Sequence, residues 1–330
     1  MKYLSYSYIL LLIFASCTKD LDLDWPSEPP QLVLNGILHP DSTIQVALST
    51  TIPLTPQSTD FPIIENATVS LYEDDELLGD LVFRDSVYVL DYHPKAGRQY
   101  TVQANVPGYL SLSASDIVPA KPDVAACYLA EERNTYFAFP IPIRTRIVDP
   151  LESNYYWLYS TISNYRYVPS EERYCDSLRK YLCPQFDSTT LVNTRMGLIS
   201  ESPIIDRFNA FTDNTSYGET TYKTGYIRFN DLSNNGDALA LEVISASHFG
   251  YDELPNLTAE QALTLHIISS STHYDRHLKS SLIDHLNNDY YDNPNPFSQS
   301  TQIYSNIENG TGIFAAHNST SIRIEQHPCE

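Results

Sequence analysis

The chemistry legible in this chain starts with a thiol. Tyr8-Ile9-Leu10-Leu11-Leu12-Ile13-Phe14 is an apolar run with Lys2 before it and Ala15-Ser16-Cys17 directly behind it. The run is far short of the roughly 20 residues that span a bilayer, so it reads as the apolar region of an export signal. Two small residues fit a cleavage site, and a cysteine just after them is placed to be acylated. The expectation is that residues 1–16 are removed and that Cys17 becomes the first mature residue. Acyl chains on Cys17, at about 0.8 kcal/mol per buried CH2, would then hold the protein to membrane lipid.

The other four cysteines are Cys127, Cys175, Cys183 and Cys329. An exported chain meets an oxidising compartment, and an even number of thiols permits bridges. Three pairings are open. The short separation favours Cys175 with Cys183, and Cys127 with Cys329 would then tie the tail to the start of the second half. A metal reading is poor, because there is no Cys-x-x-Cys and no histidine cluster beside them.

His273 and His277 have the i,i+4 spacing of a two-histidine metal face. The string His-Tyr-Asp-Arg-His lacks the glutamate that a zinc peptidase needs beside its first histidine, so both read as ordinary helix residues. Asp74-Asp75-Glu76 has the charge for a calcium ion but reads first as a solvated hairpin turn. No Gly-x-Ser-x-Gly elbow, phosphate loop or dinucleotide fingerprint occurs, so neither catalysis nor a cofactor is expected.

Two further patterns concern contact and modification. Tyr155, Tyr156, Trp157, Tyr159, Tyr165, Tyr167, Tyr174 and Tyr181 crowd into one stretch. Alternating members such as Tyr155, Trp157 and Tyr159 are expected to split between core and wet face. Tyr165, Tyr167, Tyr174 and Tyr181 fall in or beside a Pro/Ser/Glu-containing loop from Val168 to Phe186. An exposed tyrosine-rich loop is a reasonable partner surface, since tyrosine offers amphipathic area at low entropy cost. Asp-Ser-x triplets at residues 41, 85, 176 and 187 resemble an O-glycosylation acceptor, with Ser177 and Ser188 as the sites singled out.

The elements that must carry these residues are mostly strands. Period-two alternation marks Gln31–Leu38, Thr43–Ser49, Ala67–Glu73, Leu77–Phe83, Val87–Leu90 and Tyr100–Val106. No helical stripe interrupts residues 27–120, so residues 27–121 are expected to form an immunoglobulin-like or transthyretin-like β-sandwich. Residues 17–26 are an acidic tether carrying Asp20, Asp22 and Asp24, and Pro119-Ala120-Lys121-Pro122 reads as a linker. Residues 122–330 read as a second β-rich domain. Its expected strands are Arg144–Asp149, Asn154–Ile162, Gly225–Asn230, Ala238–Ser245, Leu263–Ser269 and a last one near Gly312-Ile313-Phe314. One helix is expected near residues 272–287, capped by Thr272, with Tyr274, Leu278, Leu282 and Leu286 on its apolar row. Asp275 and Lys279 would pair on its wet side. The fold class is therefore mainly β with one appended helix.

The whole chain has 330 residues, 20 basic against 41 acidic, and a formal charge of −21. That charge excludes a nucleic-acid partner, which requires a basic face, and it is repelled by anionic lipid.

The order of motifs resembles one family. Ala15-Ser16-Cys17 follows the lipobox pattern of bacterial lipoproteins, and the acidic tether resembles the surface-export signal of Bacteroidota. Leu32-Val33-Leu34-Asn35-Gly36, Pro94-Lys95-Ala96-Gly97-Arg98-Gln99-Tyr100 and Asn306-Ile307-Glu308-Asn309-Gly310-Thr311-Gly312-Ile313-Phe314 then resemble the domain-of-unknown-function 4249 family of outer-membrane lipoproteins. The resemblance implies an immunoglobulin-like first domain and a β-rich second one. It also implies genes lying beside a TonB-dependent outer-membrane receptor, and it supplies no catalytic residue. The expected protein is a lipid-anchored, cell-surface, non-enzymatic accessory or substrate-presenting partner of such a receptor. A stand-alone glycan- or protein-binding adhesion module and a hydrolase with an unrecognised site are the other readings.

Overall fold

The computed structural model describes residues 29–52, 61–128, 141–148, 154–174, 182–200, 202–206, 226–231, 238–246, 263–288 and 302–324. Sixteen strands and one helix are described. The first half holds β1 (Leu32–Leu38), β2 (Ile44–Thr50), β3 (Thr68–Glu73), β4 (Glu76–Asp80), β5 (Val82–Arg84), β6 (Val87–Leu90), β7 (Gln99–Asn105) and β8 (Leu112–Ile117). The second holds β9 (Asp123–Tyr128), β10 (Ile141–Val148), β11 (Tyr155–Tyr174), β12 (Leu182–Ile199), β13 (Ile227–Asn230), β14 (Leu239–Ala246), β15 (Leu263–Ser270), α1 (Thr272–Asn288) and β16 (Thr311–Ile324). Over the described residues the class is mainly β with one helix, as the alternation predicts. Among the described residues no helix is long and apolar enough to cross a membrane.

Alternation does its work in the first half. In β1 and β2 every second side chain is buried, which places Leu32, Leu34, Leu38, Ile44, Val46 and Leu48 inside. A four-stranded sheet, β4-β3-β7-β8, faces them and adds Val69, Leu71, Tyr100, Val102, Ala104 and Leu112 to the same core. Leu77–Phe83, read from the sequence as one strand, breaks at the buried Leu81. There β4 stays in the small sheet and β5 crosses to the large one.

The large sheet runs β5-β6-β2-β1-β16-β15-β11-β12-β14-β10-β9, with β13 beside β11. Its pivot is the pairing of β1 with β16, parallel in register from Val33 with Thr311 to Leu38 with Ala316. Parallel neighbours need a crossover; here the whole intervening chain provides it. Phe314 and Ala316 thereby join the first core, while Ile324, further along the same strand, joins the second. The second core gathers Ile143, Tyr156, Leu158, Phe229, Leu241 and Leu265, with Tyr156 stacked on Phe229.

The segment expected as a loop from Val168 to Phe186 is strand over most of its length. β11 and β12 pair antiparallel from Ser160 with Met196 out to Tyr174 with Leu182, with irregularities around Pro169. β15 accompanies β11 only to Ile162, and β14 accompanies β12 only over Gly197–Ile199. From Ser163 to Tyr174, among the described residues, the two strands pair only with each other. At about 3.3 Å per residue this ribbon extends on the order of 40 Å.

Candidate functional site

The helix start organises the best-defined polar site. Ser271, not Thr272, is the N-cap: its hydroxyl accepts from the Tyr274 N–H at 3.1 Å, and its carbonyl accepts from the Asp275 N–H at 2.9 Å. A serine oxygen satisfying an orphan donor of the first turn is the ordinary capping chemistry. Asp275 does not sit on the wet side with Lys279. It is 2 % exposed. Its carboxylate takes Nε and Nη2 of Arg228, each at 2.7 Å, and the Trp157 indole N–H at 3.0 Å. Lys279 turns instead to Asp206 at 2.8 Å, which Arg228 Nη1 also contacts. Burial works against the Arg228 charge, but the bonds to Asp275 and the charges of Asp275 and Asp206 outweigh it and raise the pKa. This network is a closed structural tie. It fastens the helix to β11 and β13.

Next to it lies a cavity of about 340 Å3 between the two halves. β7 and β8 supply Gln99, Ser115, Asp116 and Ile117; the opposite wall is Asn154 and the Ser270–His273 corner. Asp116, buried, is the keystone. Its Oδ2 accepts the Ser271 hydroxyl and the Ala316 N–H at 2.7 Å, and its Oδ1 accepts the Ile117 N–H at 2.9 Å. Burial pushes the Asp116 pKa up; the hydrogen bond from Ser271, those from Ile117 and Ala316, and the nearby His273 only partly offset it.

His273 and His277 both turn to one loop residue. Nδ1 of His273 bonds the Tyr304 hydroxyl at 2.7 Å with the rings stacked, and Nδ1 of His277 bonds the Tyr304 carbonyl oxygen at 2.9 Å. Among the described residues no group of His, Cys, Asp or Glu is arranged to hold a metal ion. The acidic turn is likewise occupied. Asp74 and Asp75 take positive φ between β3 and β4, and the Asp74 carboxylate accepts the Gln99 N–H at 3.0 Å and Arg98 at 2.5 Å.

Tyr155, Trp157 and Tyr159 do not split between faces. They share one, since strand side chains repeat every second residue. Trp157 is fully buried beneath α1, while Tyr159 is half-buried, stacked on His266 at 4.4 Å and edge-on to Tyr226. The Arg195 guanidinium lies 4.4 Å over Tyr226 and 5.3 Å over Tyr159. Burial, then the Arg195 charge, lowers the His266 pKa.

Of the other residues singled out from the sequence, the backbones of Tyr165, Tyr167, Tyr174, Cys183 and Ser188 lie on the ribbon. Tyr165 is opposite Leu191, Tyr167 opposite Thr189, and Cys183 opposite Arg173. Cys17, Cys175, Ser177, Tyr181 and Cys329 lie outside the described residues. Cys127, on β9, is disulfide-bonded. Its partner is not among the described side chains, so neither expected pairing is assigned. Sequence reasoning missed Asp116, Arg228 and Asp206. Apart from the Ile117 N–H on Asp116, their partners stand 22 to 200 positions away, and no local pattern marks them.

With this geometry in hand, the comparisons are short. The sequence model of the family described as Domain of unknown function (DUF4249) matches residues 18–323. The chain belongs to this DUF4249 family. No curated protein matches it. Among solved structures, a Salmonella alpha-2-macroglobulin is similar at 12 % identity, covering 74 % of this chain and 14 % of its own, with a TM-score of 0.20. A Bacteroides uniformis beta-glucuronidase is similar at 9 % identity, covering 68 % of this chain and 31 % of its own, with a TM-score of 0.17. The DUF4249 chain thus spans a small part of either protein, and neither likeness defines its fold.

Proposed function

We propose that this DUF4249 protein is a lipid-anchored component of the outer-membrane surface, held through acylated Cys17. On this reading it serves a TonB-dependent receptor as a non-enzymatic accessory or substrate-presenting partner in nutrient uptake, and its first half is an immunoglobulin-like sandwich. One observation carries the partner reading: the β11–β12 ribbon, paired only with itself from Ser163 to Tyr174 among the described residues and bearing Tyr165, Tyr167 and Tyr174. A two-stranded hairpin with no further strand or core is marginal in water. A ribbon this long is best accounted for by a partner that covers it, and tyrosine is favoured at such contacts. The export signal, the acidic tether and the resemblance to a receptor-linked family supply the identity of that partner.

The test is capture through the full chain from native membranes in mild detergent, followed by mass spectrometry. A large β-barrel receptor in stoichiometric amount is expected, lost when residues 165–191 are replaced by a short turn. Recovery of the chain alone would refute the receptor reading. It would leave the stand-alone binding module, which the cavity beside Asp116 favours.

A further inference from the structure

We propose that the cavity between β8 and the start of α1 binds a small, neutral, polyhydroxylated ligand: a free sugar. This inference stands on a different part of the molecule from the ribbon and does not require a receptor.

Size comes first. A space of about 340 Å3 falls at the small end of ligand sites, which run from about 300 to 1,000 Å3. It opens where two separately packed halves meet, a common setting for such sites.

The wall separates groups the fold has used from groups it has not. Asp116 already holds three donors, and the Ser271 hydroxyl both donates to Asp116 and caps the helix. The Ser270 hydroxyl donates to the Tyr155 carbonyl oxygen at 3.1 Å. By contrast, the side chains of Gln99, Ser115 and Thr272 line the cavity and make no hydrogen bond among the described residues. One primary amide and two hydroxyls present donors and acceptors in mixed supply. A sugar hydroxyl, itself both donor and acceptor, is the complement of that set.

Charge then narrows the class. Among the described residues the wall carries no Lys or Arg, and its titratable groups are Asp116 and His273. An anion would meet the Asp116 carboxylate with no lysine or arginine to offset it and with His273 already turned to Tyr304. A cation would find the carboxylate buried and its oxygens already engaged by three donors. A neutral ligand meets neither penalty. Ile117, 52 % exposed, and the neighbouring Pro119 form an apolar strip against which the C–H face of a sugar ring can lie.

The test uses the full acylated chain in a detergent without a sugar headgroup. Glucose, galactose, mannose, xylose and N-acetylglucosamine are titrated by calorimetry and saturation-transfer NMR, with glucuronate and glucosamine as charged counterparts. At least one neutral sugar is expected to saturate, with the charged counterparts at least about tenfold weaker. Gln99→Ala and Thr272→Val alter exposed residues, and their melting curves are expected to match the parent. Each should weaken binding about five- to tenfold, the worth of one hydrogen bond. Three results would overturn the proposal: no neutral sugar binding up to about 100 mM, tighter binding of a charged counterpart, or unchanged affinity in both variants. Receptor capture does not depend on any of them, so the two proposals fail separately.

Discussion

Arg228 on β13 grips Asp275 in the first turn of α1 with two prongs, Nε and Nη2 each 2.7 Å from a carboxylate oxygen. Both residues are buried, and they are 47 positions apart in sequence. The parallel fork is the strong geometry for an arginine–carboxylate pair. Its desolvation cost makes the pair a poor source of net stability but a severe loss when only one side is removed. Arg228→Met is therefore expected to destabilise by about 3–5 kcal/mol in urea unfolding. Adding Asp275→Leu to it should recover a large part of that loss. A single-variant loss below about 1 kcal/mol would show that solvent reaches the pair.

Gly312 and Gly97 both hold positive φ, at +108° and +78°, but differ in surroundings. A Cβ at Gly312 would sit 2.2 Å from the Leu34 carbonyl oxygen, in the parallel β1–β16 seam. A Cβ at Gly97 meets nothing within 4 Å. Gly97→Ala should cost only the conformational strain, about 1–2 kcal/mol. Gly312→Ala adds a backbone collision and should cost clearly more, about 4 kcal/mol or beyond. Equal losses in denaturant titrations would contradict this account of the seam.

His317 gives stability a pH dependence. Its ring is stacked on Tyr274 and tilted against His39, each at 4.7 Å, and its Nδ1 is buried without a hydrogen-bond partner. Burial first, then the charge on His39, pushes its pKa from 6.5 down to about 4. Between those values the unfolded chain takes up a proton that the native chain refuses, so stability falls as pH falls and levels off below about 4. The contribution should not exceed about 3 kcal/mol. Urea midpoints measured across this window should slope less for His317→Phe than for the parent, and parallel slopes would rule the residue out.

Asp116→Ala strands the Ser271 hydroxyl and the Ala316 and Ile117 amides in the junction. A loss of about 2–4 kcal/mol is expected, and a smaller one for Asp116→Asn, which keeps one acceptor. Hydrogen exchange should quicken at Ala316 and at the first turn of α1. Uniform exchange in Asp116→Ala would argue against the keystone role.

Excising residues 165–191 should leave the melting temperature within a few degrees of the parent. The ribbon pairs with no other strand over Ser163–Tyr174 among the described residues, so its removal takes little from either core. A large fall in melting temperature would mean that the ribbon is packed against the body.

Local pattern made some of this visible in advance. Alternation over Thr43–Ser49 and Val87–Leu90 marks β2 and β6, because burial on one face leaves a period in the sequence, and the apolar row from Tyr274 to Leu286 marks α1, although the side chain that the helix buries is Asp275. The break at Leu81 was hidden, since a strand that changes sheets keeps its alternation. The ribbon reads as loop in the sequence because Pro169, Pro184 and a run of serine and glutamate depress strand propensity, and cross-strand pairing overrides them. The Pro94–Tyr100 motif proved to be a stapled turn. The Tyr100 hydroxyl accepts the Lys95 N–H at 2.9 Å and donates to Glu73 at 3.1 Å. Tyr92 also donates to Glu73, and the net effect lowers the Glu73 pKa despite burial. The cavity had no signature at all. Its walls come from Gln99 to Ile117 on one side and Asn154 to His273 on the other, and only the folded chain brings them together.

The parallel seam between β1 and β16 sets a timetable for biogenesis. The first core is otherwise drawn from residues 32–118, and Ile307, Phe314 and Ala316 can complete it only once the chain has been made through β16. A nascent fragment ending before β16 would lack both the parallel partner of β1 and those core side chains, so native packing of the first core would wait until β16 has been made.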